Sequence, residues 1–433
     1  MRSFLSLLVC GCAAAPYAPT PRGALPCEVL PILGAADPRA LAGDAQGGLA
    51  LVGGFRGTVR AAQASLDGAG IFVLRTEPDG AVRWLRAVGD ASSRANAVAF
   101  AADGSVVVAG EAGGRCFAAR LAAADGKEVW LSAVAAETSS CRALAAGASG
   151  MWMAGSFSGV FDADTASKGL TDVFVAQLTD AGGIRVARVF GGKGRDLPRA
   201  IAVAPSGEVL VAGQFGGEVD PSIADVDFGR GPVRTAGDFD GFLLALAPDG
   251  RTRWVTTFGD SGDDEIAALA VGPDGAIYGA GHHQPDAYYR GLVPHDVGNY
   301  TASVARYSAA GRGEWVRIFE GQNSSATSLA FDARGRLWAA GDFLGDLRVG
   351  SLSSRSAGKQ DAFAVAFAPG SGELLGSRTW GGAEEEHLVG IARIPGGLAA
   401  AGHTRGELPV CGKEIGSPGE QTGFVIWLRN LAQ

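Results

Sequence analysis

Hydrophobic positions along this chain come in short runs of alternating apolar and small residues, and one run recurs. It ends in Ala-Gly or a close variant: ALVGGF (50–55), VVVAGE (106–111), MWMAGSF (151–157), VLVAGQF (209–215), IYGAGHH (277–283), LWAAGDF (337–343) and LAAAGHT (398–404). Gly53, Gly110, Gly155, Gly213, Gly281, Gly341 and Gly402 mark seven copies, spaced by 57, 45, 58, 68, 60 and 61 residues. The runs are too short for helices, and their β-branched and aromatic content predicts strands. Each copy holds four. An apolar run such as RAIAVAP or ALAVGP comes first, then a D-G, S-G or R-G turn of the kind that closes hairpins. The Ala-Gly strand follows. A variable segment leads to a third strand (VFVAQL, GFLLAL, AFAVAF), and a second glycine turn leads to a fourth (RWLRAVG, TRWVTTFG, LGSRTWGG).

Seven copies at this period predict an all-β propeller or array. After the seventh Ala-Gly unit the chain gives GFVIWLRNLAQ, one strand short of a full copy. The missing strand lies at the other end, in VLPILGAADPRALA (29–42). The expectation is a single seven-bladed β-propeller of four-stranded blades over residues 28–433. The N-terminal strand would complete the last blade and remove the exposed edges. The phrases DxFVAxL, WxxxFGG and IAVxPxGxVxVAGxF resemble the bacterial seven-bladed β-propeller repeat family, most clearly over 172–275. That resemblance implies the fold and export, and no shared catalytic site. LAAADGKEVW (121–130) and LAPDGRTRW (246–254), with Trp84, Trp130, Trp254 and Trp315 at one repeat position, are also similar to quinoprotein-type repeats. The same pattern occurs in the propeller lipoprotein of the outer-membrane barrel-assembly machinery. The plain expectation for these Trp is packing of one blade on the next.

The first residues change the picture of location. MRSFLSLLVCGCAAA (1–15) has a charged start and an apolar core too short to span a bilayer. Val9-Cys10-Gly11-Cys12 resembles a lipobox, which implies a signal peptide over 1–12, lipidation of Cys12 and a tether over 13–27. Cleavage near Ala15 as an ordinary signal peptide is the alternative. The expected location is exported, as an outer-membrane lipoprotein facing the periplasm or the cell surface. Losing Cys10 and lipidating Cys12 leaves Cys27, Cys116, Cys141 and Cys411, which allow three pairings in an oxidising compartment. Cys116 and Cys141 map to the same face of neighbouring blades and are expected to pair. Cys27 and Cys411 both map to the last blade but to opposite faces, so their pairing requires a folded-back insertion.

Composition excludes other classes. With 37 Lys and Arg against 45 Asp and Glu the net charge is −8, which argues against a nucleic-acid partner. A chain 47 % hydrophobic and 19 % charged is not disordered.

In a four-stranded meander the loops after strands two and four share one face. It carries the long insertions, 158–171, 216–239, 284–299, 344–360 and 405–421, and is therefore the expected binding face. Three sets of side chains fall there. The residue after Ala-Gly is Gly54, Glu111, Ser156, Gln214, His282, Asp342 or His403. Arg39, Arg94, Arg142 and Arg199 open the inner strands of blades one to four, with Ala267, Thr327 and Val389 in the other three. A crescent of guanidinium groups suits an anion, such as a carboxylate sugar or a phosphorylated ligand. The simpler reading pairs each Arg with a nearby acid, such as Asp37 or Asp90. The third set is acidic: Asp260, Asp263, Asp264 and Glu265, then Glu384, Glu385 and Glu386.

All five His (282, 283, 295, 387 and 403) map to this face of blades five to seven, without zinc spacing, so no metal is expected. GDSGDDE (259–265) is similar to Asp-rich calcium loops but lacks EF-hand spacing, so calcium is the one cofactor considered and none is otherwise expected. No nucleophile elbow, zincin motif or P-loop is present. The leading expectation is a monomeric, non-catalytic binding or scaffold lipoprotein with an envelope or extracellular protein, or a glycan, as partner. The alternatives are a polysaccharide hydrolase or lyase using the acids and His of blades five to seven (Asp264, Glu385, His387), and an assembly factor of the barrel-assembly type.

Overall fold

In a computed structural model the described residues are 27–147, 150–162, 165–220, 225–259, 261–284 and 300–429. Cys12, the signal segment, the tether up to residue 26, Asp260 and His295 lie outside them. The described chain is all β. Its strands form antiparallel meanders in chain order. One sheet runs Arg94–Phe100, Val106–Ala112, Arg115–Leu121, Glu128–Ala133, and the pattern repeats downstream. The repeats start at Thr138–Gly147, Arg195–Val203, Glu265–Val271 and Glu320–Phe331.

The first and last described strands share a sheet. Its order is Glu386–Ile394, Gly397–Thr404, Thr422–Arg429, Cys27–Gly43, Leu49–Ala61, Ala64–Thr76, Val82–Val88. The long strand Cys27–Gly43 serves twice. Residues 27–32 pair with 428–423, and residues 35–43 pair with 56–49. The strand that opens each meander packs against its counterpart in the next, and the succession returns from Glu386–Ile394 to Cys27–Gly43.

Every opening strand carries a β-bulge at the same place. The skipped residues are Arg39, Asn96, Arg142, Arg199, Ala267, Thr327 and Val389. The repeated glycine sits opposite the residue before each bulge, which explains it. A Cβ on Gly213 would stand 2.1 Å from the Leu197 carbonyl oxygen, and one on Gly341 would stand 1.8 Å from that of Ser325. The bulge pushes the backbone into the space a side chain needs.

The repeated Trp join successive sheets. Each indole N–H donates to a turn carbonyl of the next sheet: Trp84 to Ala123 (3.2 Å), Trp130 to Asp180 (3.0 Å), Trp254 to Ala309 (3.2 Å) and Trp315 to Pro369 (3.0 Å). Gly126, Gly182, Gly311 and Gly372 lie on the rings, where a Cβ would come within 2.4–2.9 Å. The core is thus a series of clusters between sheets, one of them Trp338, Trp380, Leu388, Leu398 and Ile426.

Two insertions fold back over the outer edge of the preceding sheet. Asp225–Asp227 pairs with the edge strand Ile184–Gly192, and Phe228 packs among Phe190, Phe215 and Phe242. The hairpin Leu408–Val410 with Lys413–Ile415 packs beside Leu374–Trp380 and brings Cys411 down to Cys27. These two cysteines are disulfide-bonded across a Cα separation of 5.2 Å, as are Cys116 and Cys141 across 4.9 Å. Cys116 and Cys141 are fully buried against Met153.

Candidate binding site at the centre of the ring

The bulges face the middle of the ring, where three clefts share walls. One of about 510 Å³ is lined by Asp37, Arg39, Arg94, Asn96, Glu111 and Arg142. The next, of about 540 Å³, shares Asp37 and Arg39 and adds Arg199, Glu265, Asp342, His387 and His403. The third, of about 390 Å³, shares Asp342 and adds His282, Tyr300, Asn323, Ser324 and Ser325. Eight of the nine candidate ligand-binding residues therefore meet in this region. Gln214, the ninth, is buried and lines none of the three.

The register revises the basic crescent. Arg39, Arg142 and Arg199 occupy bulges, but Arg94 lies two residues earlier, directly opposite Glu111. Asn96 holds the equivalent place and donates to the Cys141 carbonyl (2.8 Å). The signal missed was the bulge, which strand-start alignment cannot register. The crescent is also unevenly neutralised. Arg39 is paired with Asp37, and Arg199 meets Glu265 at 2.7 Å. Asp90 does not pair with Arg94; its Oδ1 accepts hydrogen bonds from Ser92 and Ser93. Arg142 is half-buried, and its Nε has no hydrogen-bond partner among the described residues. Desolvation, then the charge of Arg199, holds its pKa below the usual value, while Glu111 opposes them.

Across the ring the chemistry is different. His387 Nδ1 lies 2.9 Å from Asp342 Oδ2, linking neighbouring sheets, and that hydrogen bond raises the His387 pKa against the opposing effect of burial. His403 stacks on His387 at a centroid separation of 5.1 Å. Burial, then His387, pushes the His403 pKa down to about 4. Burial also lowers His282, with Glu265 opposing at 3.9 Å. Arg405 and Glu385 pair at the rim (3.0 Å). Glu384 pairs with Lys359 (2.8 Å), away from these clefts. His283 is buried, and burial takes its pKa down to about 4. Asp264 and Glu386 are buried between sheets rather than in the mouth. Among the described residues no group of three or more His, Cys, Asp or Glu is placed to hold a metal ion.

No protein-family model matches the chain. A curated relative, the regulatory protein FlaEY of Caulobacter vibrioides, is 28 % identical over 205 residues, which is 46 % of this chain and 21 % of that protein. The chain thus spans about a fifth of that relative's length. Solved structures that resemble it include the Pan2 WD40 domain of Neurospora crassa, at 12 % identity, with 92 % of this chain and 91 % of that one covered and a TM-score of 0.47. A periplasmic gluconolactonase of Pseudomonas aeruginosa is 13 % identical, with 92 % and 99 % covered and a TM-score of 0.44.

Proposed function

We propose that the chain is a seven-bladed propeller of four-stranded blades, its last blade completed by the N-terminal strand, and that it works as an exported, lipid-anchored binding or scaffold protein. The unbroken succession of opening strands and the double use of Cys27–Gly43 support the architecture. One observation carries the functional reading: polar and charged side chains from separate sheets converge on linked clefts at one end of the ring. A mouth of that kind orients a polar partner, and two of its guanidinium groups, Arg94 and Arg142, form no ion pair with any described residue. The ligand expected there is a protein or glycan presenting a carboxylate or phosphate to that pair.

The test is affinity capture from detergent-solubilised envelopes, comparing the intact protein with the Arg94→Ala, Arg142→Ala double variant. A partner held by the first and lost by the second, at least tenfold in affinity, is the expected outcome. Equal retention removes the two arginines from the interface. Recovery of a barrel-assembly component would move the protein to the assembly-factor class.

A second reading has its own observation. The His387–Asp342 pair is a positioned imidazole with a raised pKa in an open cleft, the arrangement a general base requires. On this reading the protein is a polysaccharide hydrolase or lyase. Turnover of an anionic glycan by the intact protein and not by His387→Ala would establish it.

A further inference from the structure

Away from the mouth, the junctions between successive sheets repeat one slot. It lies where the third strand of one sheet begins and the next sheet's opening strand arrives. In five of these slots the arriving residue's N–H donates to the carbonyl just before the third strand: Ser139 to Gly114 (3.0 Å), Asp196 to Thr171 (2.8 Å), Asp264 to Phe239 (2.8 Å), Ser324 to Tyr300 (2.9 Å) and Glu386 to Gln360 (2.8 Å). Two junctions fill the slot with neutral groups. Ser139 Oγ accepts from the Cys116 N–H (3.0 Å), and Ser324 Oγ accepts from the Ala302 N–H (2.9 Å). Three others place two acids there: Asp172 with Asp196, Asp240 with Asp264, and Asp361 with Glu386. All six are at least 95 % buried.

The acids divide the work unequally. Asp196 accepts from the Gly192 and Gly216 N–H groups (2.8 and 3.0 Å), and Glu386 accepts from the Gly382 N–H (2.6 Å) and the Thr404 hydroxyl (2.9 Å). Their partners are only half satisfied. Asp172 Oδ2 accepts from the Lys168 N–H (3.2 Å) and Asp361 Oδ2 from the Ala357 N–H (3.1 Å), while Oδ1 of each has no hydrogen-bond partner among the described residues. A buried, unpartnered carboxylate oxygen next to a second carboxylate is costly to leave charged, and a proton removes that cost.

We propose that the Asp172–Asp196 and Asp361–Glu386 pairs are buried proton-binding sites, each holding a proton near neutral pH, which make the docking of adjacent sheets weaken as pH rises. The charged groups facing the first pair are Lys168, which favours the ionised form, and the two acids themselves. Facing Glu386 are Asp361, which raises its pKa, and His387, which lowers it. Desolvation is the largest cause for every member, taking Asp172 to about 6 and Asp196 to about 7 and raising Asp361 and Glu386. A folded-state pKa above the unfolded one means stability present in acid and lost as pH climbs through the folded value, here between about pH 4 and pH 7. His283 and His403 have the opposite sign, since both are depressed to about 4 and cost stability as pH falls below that of free His.

The experiment cancels the histidines by difference. Melting temperatures of the full chain and of the Asp172→Asn, Asp361→Asn double variant are compared from about pH 5 to about pH 8 in chelator-treated buffer. An Asn amide keeps the accepting oxygen and places N–H₂ where Oδ1 stood. The variant is expected to gain on the parent by several degrees across that range, the gain building up to about pH 7 and levelling off above it. A constant difference overturns the proposal. So does calcium chloride raising the parent's melting temperature at pH 8 and not the variant's, which would make the slots cation sites. If the variant does not fold, infrared spectra of the parent decide: a protonated carboxylic-acid band at pH 6 that fades by pH 8 is expected, and its absence overturns the assignment.

Discussion

At the residue scale, charge in the central mouth is set by who pairs with whom. Arg39 and Arg199 carry their own counter-charges, so substituting them removes a structural ion pair along with any ligand contact. His387 depends on Asp342 in the same way. Its raised pKa comes first from that 2.9 Å hydrogen bond, so Asp342→Asn is expected to lower it. Nuclear magnetic resonance titration of the His387 ring in the two proteins measures the shift. The stability tied to this pair is present below the pKa of free His and is lost as pH rises through the folded value. An unchanged His387 titration in the Asn variant would show that burial or another neighbour sets its protonation. Which residue types gather here was legible from the repeat, because positions just after each Ala-Gly all lie at one end of their strands. Pairings such as Arg199–Glu265 and His387–Asp342 were not, because each crosses from one sheet to the next.

At the scale of a strand, the bulge organises the repeat. It aims one residue of every opening strand at the centre of the ring, and it leaves no room for a side chain on the paired strand. Gly213→Ala is therefore expected to destabilise the protein by roughly 2–4 kcal/mol, since the new Cβ would press on the Leu197 carbonyl and the strands would have to part. Denaturant melts of the two proteins check it. No cost, or the gain of about 0.5–1 kcal/mol that an unstrained Gly-to-Ala change brings within an element, would show that the bulge relaxes freely. The glycine period was visible in sequence as seven copies of one phrase, whereas the bulge was not, because its extra residue varies among Arg, Asn, Ala, Thr and Val. That is why Arg94 aligns with the other arginines in sequence and Asn96 replaces it in space. The fold-back of 405–421 was equally hidden. Nothing local in LPVCGKEI requires it; packing of Leu408, Val410 and Ile415 with Trp380 and Leu388, together with the Cys27–Cys411 bond, holds the hairpin down.

At the scale of the whole molecule, the first and last described strands meet in one sheet, held by the 27–32 pairing and by the Cys27–Cys411 bond. These devices act on different states. The strand pairing stabilises the folded ring through hydrogen bonds and the burial of Ile32. The disulfide restricts the unfolded chain, and it spans 384 residues. In the chain-entropy account a loop that long is worth about 6 kcal/mol, against about 3–4 kcal/mol for the 25-residue span of Cys116–Cys141. Replacing Cys27 and Cys411 together with Ser should lower the denaturation midpoint while leaving the native circular dichroism spectrum intact, because the strand keeps its partner without the bond. The loss should be lessened to the extent that the unfolded chain retains structure. An unchanged midpoint would mean that strand pairing alone holds the ends together. Loss of the native spectrum would instead make the hairpin clasp a condition for seating the first strand, and closure of the ring would then depend on oxidation of this one pair.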